Sequence, residues 1–136
     1  MLNYNQALPD QTLLQDLQMK EIKPIMKLII RGKKREFISA VGKSLNMLLP
    51  IKANTSTQSD KLTAVWLSPD EWMIFSNKHV DENTNNYETE ELLNNNISKL
   101  NLGAITDVTD QFVMIKLRGN KIYELFQTGS PFNFNE

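Results

Sequence analysis

Few residues of this chain have the type and spacing to do chemistry alone. His79 is the only histidine, and there is no cysteine. A zinc site on His79 would need oxygen ligands at every other position, an uncommon set for that metal. His79 lies beside Lys78 and close to Asp81 in a polar stretch, where a solvated loop histidine is the simpler reading. Asp107 and Asp110, in Thr106-Asp107-Val108-Thr109-Asp110, are the other candidates. Two nearby carboxylates can share acid–base work, or they can accept backbone N–H groups where one strand passes into the next. No Ser-His-Asp arrangement finds support. The glycines, at 32, 42, 103, 119 and 129, fit neither G-x-G-x-x-G nor G-x-x-x-x-G-K-[ST]. No phosphate-cradling loop is encoded, and FAD or NAD held by this chain alone is not expected. No catalytic, cofactor-binding or metal-binding residue is assigned.

Two groups suit a partner surface better than a reaction. Arg31, Lys33, Lys34 and Arg35 are cations at a helix start, where the helix dipole disfavours them. They form a solvated face or a contact to an anion or partner subunit. Trp66 and Trp72 flank a turn. Large aromatics serve equally as core residues and as interface anchors, and core is the default for at least one of this pair.

The elements that must position these residues follow from pattern. Residues 1–23 read as an N-terminal arm, with Leu13, Leu14 and Leu17 at the spacing of a short helix before Pro24. Residues 24–136 read as a single α+β domain. Lys27 to Arg31 is a short, β-branched, apolar strand ended by Gly32. Lys34 to Met47 places Phe37, Ile38, Val41, Leu45 and Leu48 on one helical stripe. A polar loop over 53–61 precedes a hairpin: Leu62 to Leu67, the turn Ser68-Pro69-Asp70-Glu71, then Trp72 to Ser76. After a second polar loop, Thr89 is placed to cap a helix reaching about Asn101, with Gly103 as its stop. Ala104 to Val108 is a further strand. This β-α-β-β-α-β order predicts a ferredoxin-like antiparallel sheet with both helices on one face. Phe112 to Arg118 and Ile122 to Gln127 then start a second β-α unit. Its Ile115-Lys116-Leu117-Arg118-Gly119-Asn120-Lys121 echoes Leu28-Ile29-Ile30-Arg31-Gly32-Lys33-Lys34, a weak internal repeat.

Composition narrows the function classes. The 136 residues suit one domain, long enough to bury about two-thirds of its unfolded surface without metal or disulfide. A net charge of −1 argues against nucleic acid, which needs a basic surplus. The first ten residues lack a basic cluster followed by an apolar stretch. Apolar runs of about five residues fall short of the ~20 that span a bilayer. A soluble, cytoplasmic protein with no membrane partner is expected. Asn94-Asn95-Asn96 and the other asparagines are interleaved with apolar positions, unlike a prion-like tract.

Two segments resemble the gamma subunit family of heterotetrameric sarcosine oxidase, within the aminomethyltransferase-like superfamily. One is Ala64-Val65-Trp66-Leu67-Ser68-Pro69-Asp70-Glu71-Trp72-Met73-Ile74. The other is Ile105-Thr106-Asp107-Val108-Thr109-Asp110 with the strand to Arg118-Gly119, the helix to Phe126, and Gly129-Ser130-Pro131-Phe132. The resemblance spans roughly residues 25–135, and its second motif is shared more loosely with the whole superfamily. Ser130 stands where the family has cysteine, and the family continues for several dozen residues beyond this chain's end. The resemblance implies a partial aminomethyltransferase folate-binding-domain-like fold. It also implies an accessory, structural role beside alpha, beta and delta subunits. In that complex sarcosine is demethylated to glycine, and the one-carbon unit passes to tetrahydrofolate. FAD, FMN, NAD and tetrahydrofolate are then expected on partner subunits, and none on this chain. A chain short at its C-terminus would leave apolar surface open to self-association. Alternatives stay open: the small subunit of N-methylglutamate dehydrogenase, a folate-binding protein, or a stand-alone ferredoxin-like domain binding a small molecule.

Overall fold

The computed structural model describes residues 5–8, 12–14, 16–78 and 87–134. His79 and Asp81 lie outside the described residues. The elements run β1 (Thr12–Leu14), β2 (Leu17–Glu21), β3 (Lys27–Arg31), α1 (Arg35–Leu45), β4 (Ser56–Gln58), β5 (Leu62–Ser68), β6 (Glu71–Ser76) and α2 (Glu88–Leu93). A π-helical segment (Asn94–Ser98), β7 (Ala104–Asp107), β8 (Ile115–Arg118) and α3 (Ile122–Gly129) follow. The chain forms two compact units. Pro24–Phe112 make one; Met1–Lys23 and Val113–Glu136 make the other.

The unit of residues 24–112 carries a five-stranded antiparallel sheet in the order β4-β5-β6-β3-β7. Setting aside the edge strand β4, β6 separates β3 from β5, and β7 lies outside β3. That is the split βαβ arrangement, and the fold is α+β and ferredoxin-like. Alternation along the strands sends Leu28, Ile30, Ala64, Trp72 and Ile74 to one face, where each is at most 1% exposed. Phe37 and Val41 of α1, Leu93 of α2 and Ile97 of the π-helical segment join them in one cluster. Both helices therefore cover the same face. Burying each of the leucine, isoleucine, valine and phenylalanine side chains contributes about 1.5–3 kcal/mol.

The 53–61 loop contains a strand: β4 pairs with β5, Thr57 opposite Ala64. Its residues Ser56, Thr57 and Gln58 are polar, so only the cross-strand partner reveals them as a strand. The second helix also differs in detail. Tyr87, not Thr89, is its N-cap, with no side-chain cap bond, and Thr89 sits inside the first turn. The helix then widens at Asn94, where asparagines have weak helical preference.

In the other unit, the expected helix around Leu13–Leu17 is instead a pair of strands. β1 pairs with β2, Thr12 opposite Met19, and β2 pairs with β8, Met19 opposite Leu117. The helical spacing of the leucines misled because β8, almost a hundred positions away in sequence, supplies a sheet partner that local pattern cannot contain. Burial along β2 has a period of two, with Leu17 and Glu21 buried and Met19 half-buried. The Leu8 N–H donates to Glu21 Oε2 at 2.8 Å. Among the described residues no helix is long and apolar enough to cross a membrane.

Candidate functional site

β3 ends at Arg31, and the Gly32 N–H donates to the Asp70 carbonyl at 3.0 Å. This bond ties the strand end to the hairpin turn. A Cβ at Gly32 would come within 2.4 Å of the Phe37 ring, so the turn requires glycine for space. The tie brings Arg31 Nη2 to 3.6 Å from Glu71 Oε2 and Lys33 Nζ to 3.9 Å from Asp70 Oδ2. The Ser68 hydroxyl donates to Asp70 Oδ1 at 2.9 Å and fixes that carboxylate. Lys34 is the extended N-cap residue of α1, without a side-chain cap bond, and Arg35 opens the helix. All four cations are exposed. Arg31 and Lys33 meet acids of the turn; Lys34 and Arg35 make no ion pair among the described residues. The group is a solvent-facing edge whose charge is half compensated.

The two tryptophans stand opposite each other in the β5–β6 register but differ in environment. Trp72 is 1% exposed, stacks on Phe37 with centroids 5.9 Å apart, and donates from Nε1 to the Pro50 carbonyl at 2.7 Å. It is a core residue and presents no surface to a partner. Trp66 is half-buried against the core cluster and keeps part of its ring available.

The acid pair leads to a feature that sequence reasoning missed. The Thr109 N–H donates to Asp107 Oδ1 at 2.8 Å, the backbone-satisfying role open to that residue. Lys27, 3% exposed, donates from Nζ to the carbonyls of Ile25 at 3.1 Å and Thr109 at 3.0 Å. Its own N–H donates to Thr109 Oγ1 at 3.0 Å, and its carbonyl accepts from the Val108 N–H at 2.9 Å. Burial pushes the Lys27 ammonium below its ordinary pKa, and the charges of Asp110 and Asp107 partly oppose this. The cluster fastens the start of β3 to the turn after β7. Its only signal in the sequence was a lysine heading an otherwise apolar strand. Among the described residues no group of three or more His, Cys, Asp or Glu could hold a metal ion.

A second missed feature is a groove of about 750 Å³ beside α1, lined by Ile38, Lys43, Leu48, Leu49, Ile51 and Lys52 among others. The helical spacing predicts Leu48 on the stripe of α1. It is 82% exposed because α1 ends at Leu45 and Asn46 takes a left-handed φ of 49°, which turns the chain away from the helix axis.

The sequence matches no protein-family model and no curated protein sequence. Its backbone is similar to that of a solved chain described as heterotetrameric sarcosine oxidase from Corynebacterium sp. U-96 in complex with pyrrole 2-carboxylate, with a TM-score of 0.73 at 14% identity. The similarity covers 90% of this chain and 60% of that one. The chain thus spans about three-fifths of its structural neighbour's length, and at this identity the likeness establishes a shared fold.

Proposed function

We propose that this chain is an accessory subunit, of the gamma type, in a complex of the heterotetrameric sarcosine oxidase kind. The observation that carries the reading is the backbone likeness over 90% of the chain. The hairpin motif supports it: Pro69-Asp70-Glu71-Trp72 sits at the β5–β6 turn, where Asp70 and Glu71 meet the basic edge and Trp72 roots the turn in the core. In this reading the chain contributes assembly. Alpha, beta and delta subunits would carry FAD, FMN, NAD and tetrahydrofolate, with sarcosine demethylated on them. The exposed edge of Arg31, Lys33, Lys34 and Arg35, with the accessible part of Trp66, is assigned to partner contact.

Co-expression of the tagged chain with the proteins encoded beside it tests this. A purified complex with flavin absorbance and sarcosine-dependent peroxide formation is the expected result. A flavin complex that oxidises N-methylglutamate instead would keep the subunit role and change the substrate. A colourless, solitary monomer would overturn the reading.

A further inference from the structure

The segment after α1 combines features that a surface loop rarely combines. Leu48 and Ile51 are 82% and 81% exposed, yet the backbone carrying them is tied at alternate residues. The Leu48 carbonyl accepts from Thr57 Oγ1 at 2.5 Å, the Pro50 carbonyl from Trp72 Nε1 at 2.7 Å, and the Lys52 carbonyl from Thr55 Oγ1 at 2.6 Å. Leu49, between the two exposed residues, is buried at 6% and joins the core cluster. Two large apolar side chains are thus held out to solvent on a fixed frame. A pre-ordered apolar pair loses little conformational entropy on binding.

The groove beside them adds charge of one sign. Lys43 stands on the α1 side and Lys52 on the loop side, and no Asp or Glu is among the lining residues. An apolar floor between two lysines complements a chain segment that carries both apolar side chains and carboxylates. A purely apolar occupant would desolvate the lysines without pairing them.

We infer that this groove is a docking site for an acidic, leucine- or isoleucine-bearing segment of a partner polypeptide, with Leu48 and Ile51 as the apolar anchors and Lys43 and Lys52 as the charge-reading rim. Assigning that segment to a subunit of the complex rests on the reading above; the chemistry of the groove does not.

Fluorescence anisotropy with the full chain tests it. The probe is a short fluorescein-labelled peptide bearing leucines flanked by glutamates, compared with the same peptide carrying lysines in place of the glutamates. The acidic peptide should bind, with affinity falling as salt rises, and the lysine peptide should bind far more weakly. Leu48→Ser with Ile51→Ser should weaken the acidic peptide by about tenfold or more, as loss of central anchors does. Both side chains are exposed, so the fold should survive, and an unchanged thermal midpoint checks this. Lys43→Glu with Lys52→Glu should reverse the preference between the two peptides, which a merely structural role would not do. Equal binding of both peptides, no binding of either, or indifference to both double variants would overturn the inference. So would displacement of the peptide by dodecanoate with tighter binding, which makes the site one for a small amphiphile. A sedimentation coefficient that drops in the Leu48→Ser, Ile51→Ser variant would put a second copy of this chain in the groove instead. If the wild type captures no flavoprotein on co-expression but passes the peptide test, the subunit reading fails while the groove stands. If both double variants capture flavoprotein as well as the wild type does, the subunit reading stands, the docked segment does not belong to that flavoprotein, and the peptide test alone decides the groove.

Discussion

The chain contains the same local design twice, and the two versions differ in what they bury. β3 ends at Arg31-Gly32 and leads into α1; β8 ends at Arg118-Gly119 and leads into α3. In the first, the helix places Phe37 and Val41 at 0% exposure against the sheet. In the second, no residue of α3 is buried, and Tyr123, Leu125 and Phe126 are 52%, 39% and 38% exposed. Even the two glycines serve different ends. Gly32 makes room for the Phe37 ring, whereas Gly119 has a φ of 137° and lies against the Asp16 backbone. Amphipathic pattern and turn chemistry therefore build the strand and the helix in both places. Whether a core follows depends on how many layers close over them.

The sharpest way to break this contrast is to truncate a ring in each version. Phe37→Ala should lower unfolding free energy by about 3–5 kcal/mol in urea titrations, the cost of emptying a core site. Phe126→Ala should cost only about 1 kcal/mol, since that ring stacks on Phe134 at 4.8 Å but remains accessible. Equal losses would mean that the second version has a core of its own. Next in size is the glycine pair of positions. Gly32→Ala should cost about 1–3 kcal/mol through overpacking against Phe37. Gly129→Ala, with nothing near its Cβ, should be neutral or add about 0.4–1 kcal/mol by restricting the unfolded chain.

Lys27 provides a pH-dependent test confined to the first version. Its folded pKa lies below the ordinary value of 10.5 because it is buried. Over the window between those values the unfolded chain binds the proton more readily, so stability contributed by this group rises as pH climbs through the window. Below the folded pKa the group opposes folding. The stability difference between wild type and Lys27→Met should therefore shift towards the wild type as pH is raised to 10.5, measured by urea midpoints at fixed ionic strength. A difference independent of pH would show that Lys27 keeps its unfolded-chain pKa. The smallest effect belongs to the basic edge. A double-mutant cycle on Arg31 and Glu71 should give a coupling below about 1 kcal/mol, because the pair is 3.6 Å apart and its exposed arginine is screened by solvent, although Glu71 is half-buried.

What was legible in the sequence was what local pattern controls. The apolar strand over Lys27–Arg31, the stripe of α1 and the hairpin around Pro69 are each readable from their own residues, and together they implied the ferredoxin-like order. β4 was not, because its own residues are polar and only its pairing with β5 reveals it, and the β1–β2 pair was not, because its leucines also fit a helix and β8, which completes its sheet, lies almost a hundred positions on. The basic edge was legible as charge, but the pairing of Arg31 and Lys33 with the turn acids depends on the register of β3 against β6. The Lys27 cluster joins residues 82 positions apart, and the groove depends on one left-handed asparagine after α1. Trp66 and Trp72 looked equivalent as residues flanking a turn. They separate because Trp72 is buried against Phe37 and its indole reaches the Pro50 carbonyl.

That indole bond has an optical consequence. Trp72 reports through its emission on the position of Pro50, a residue that lines the groove. A ligand that shifts the loop lengthens or bends the bond, and the surroundings of the buried ring change with it. Trp66→Phe leaves a chain with a single tryptophan. Its spectrum is then a label-free gauge of whether the groove is filled, readable in a cuvette while any candidate partner is titrated in.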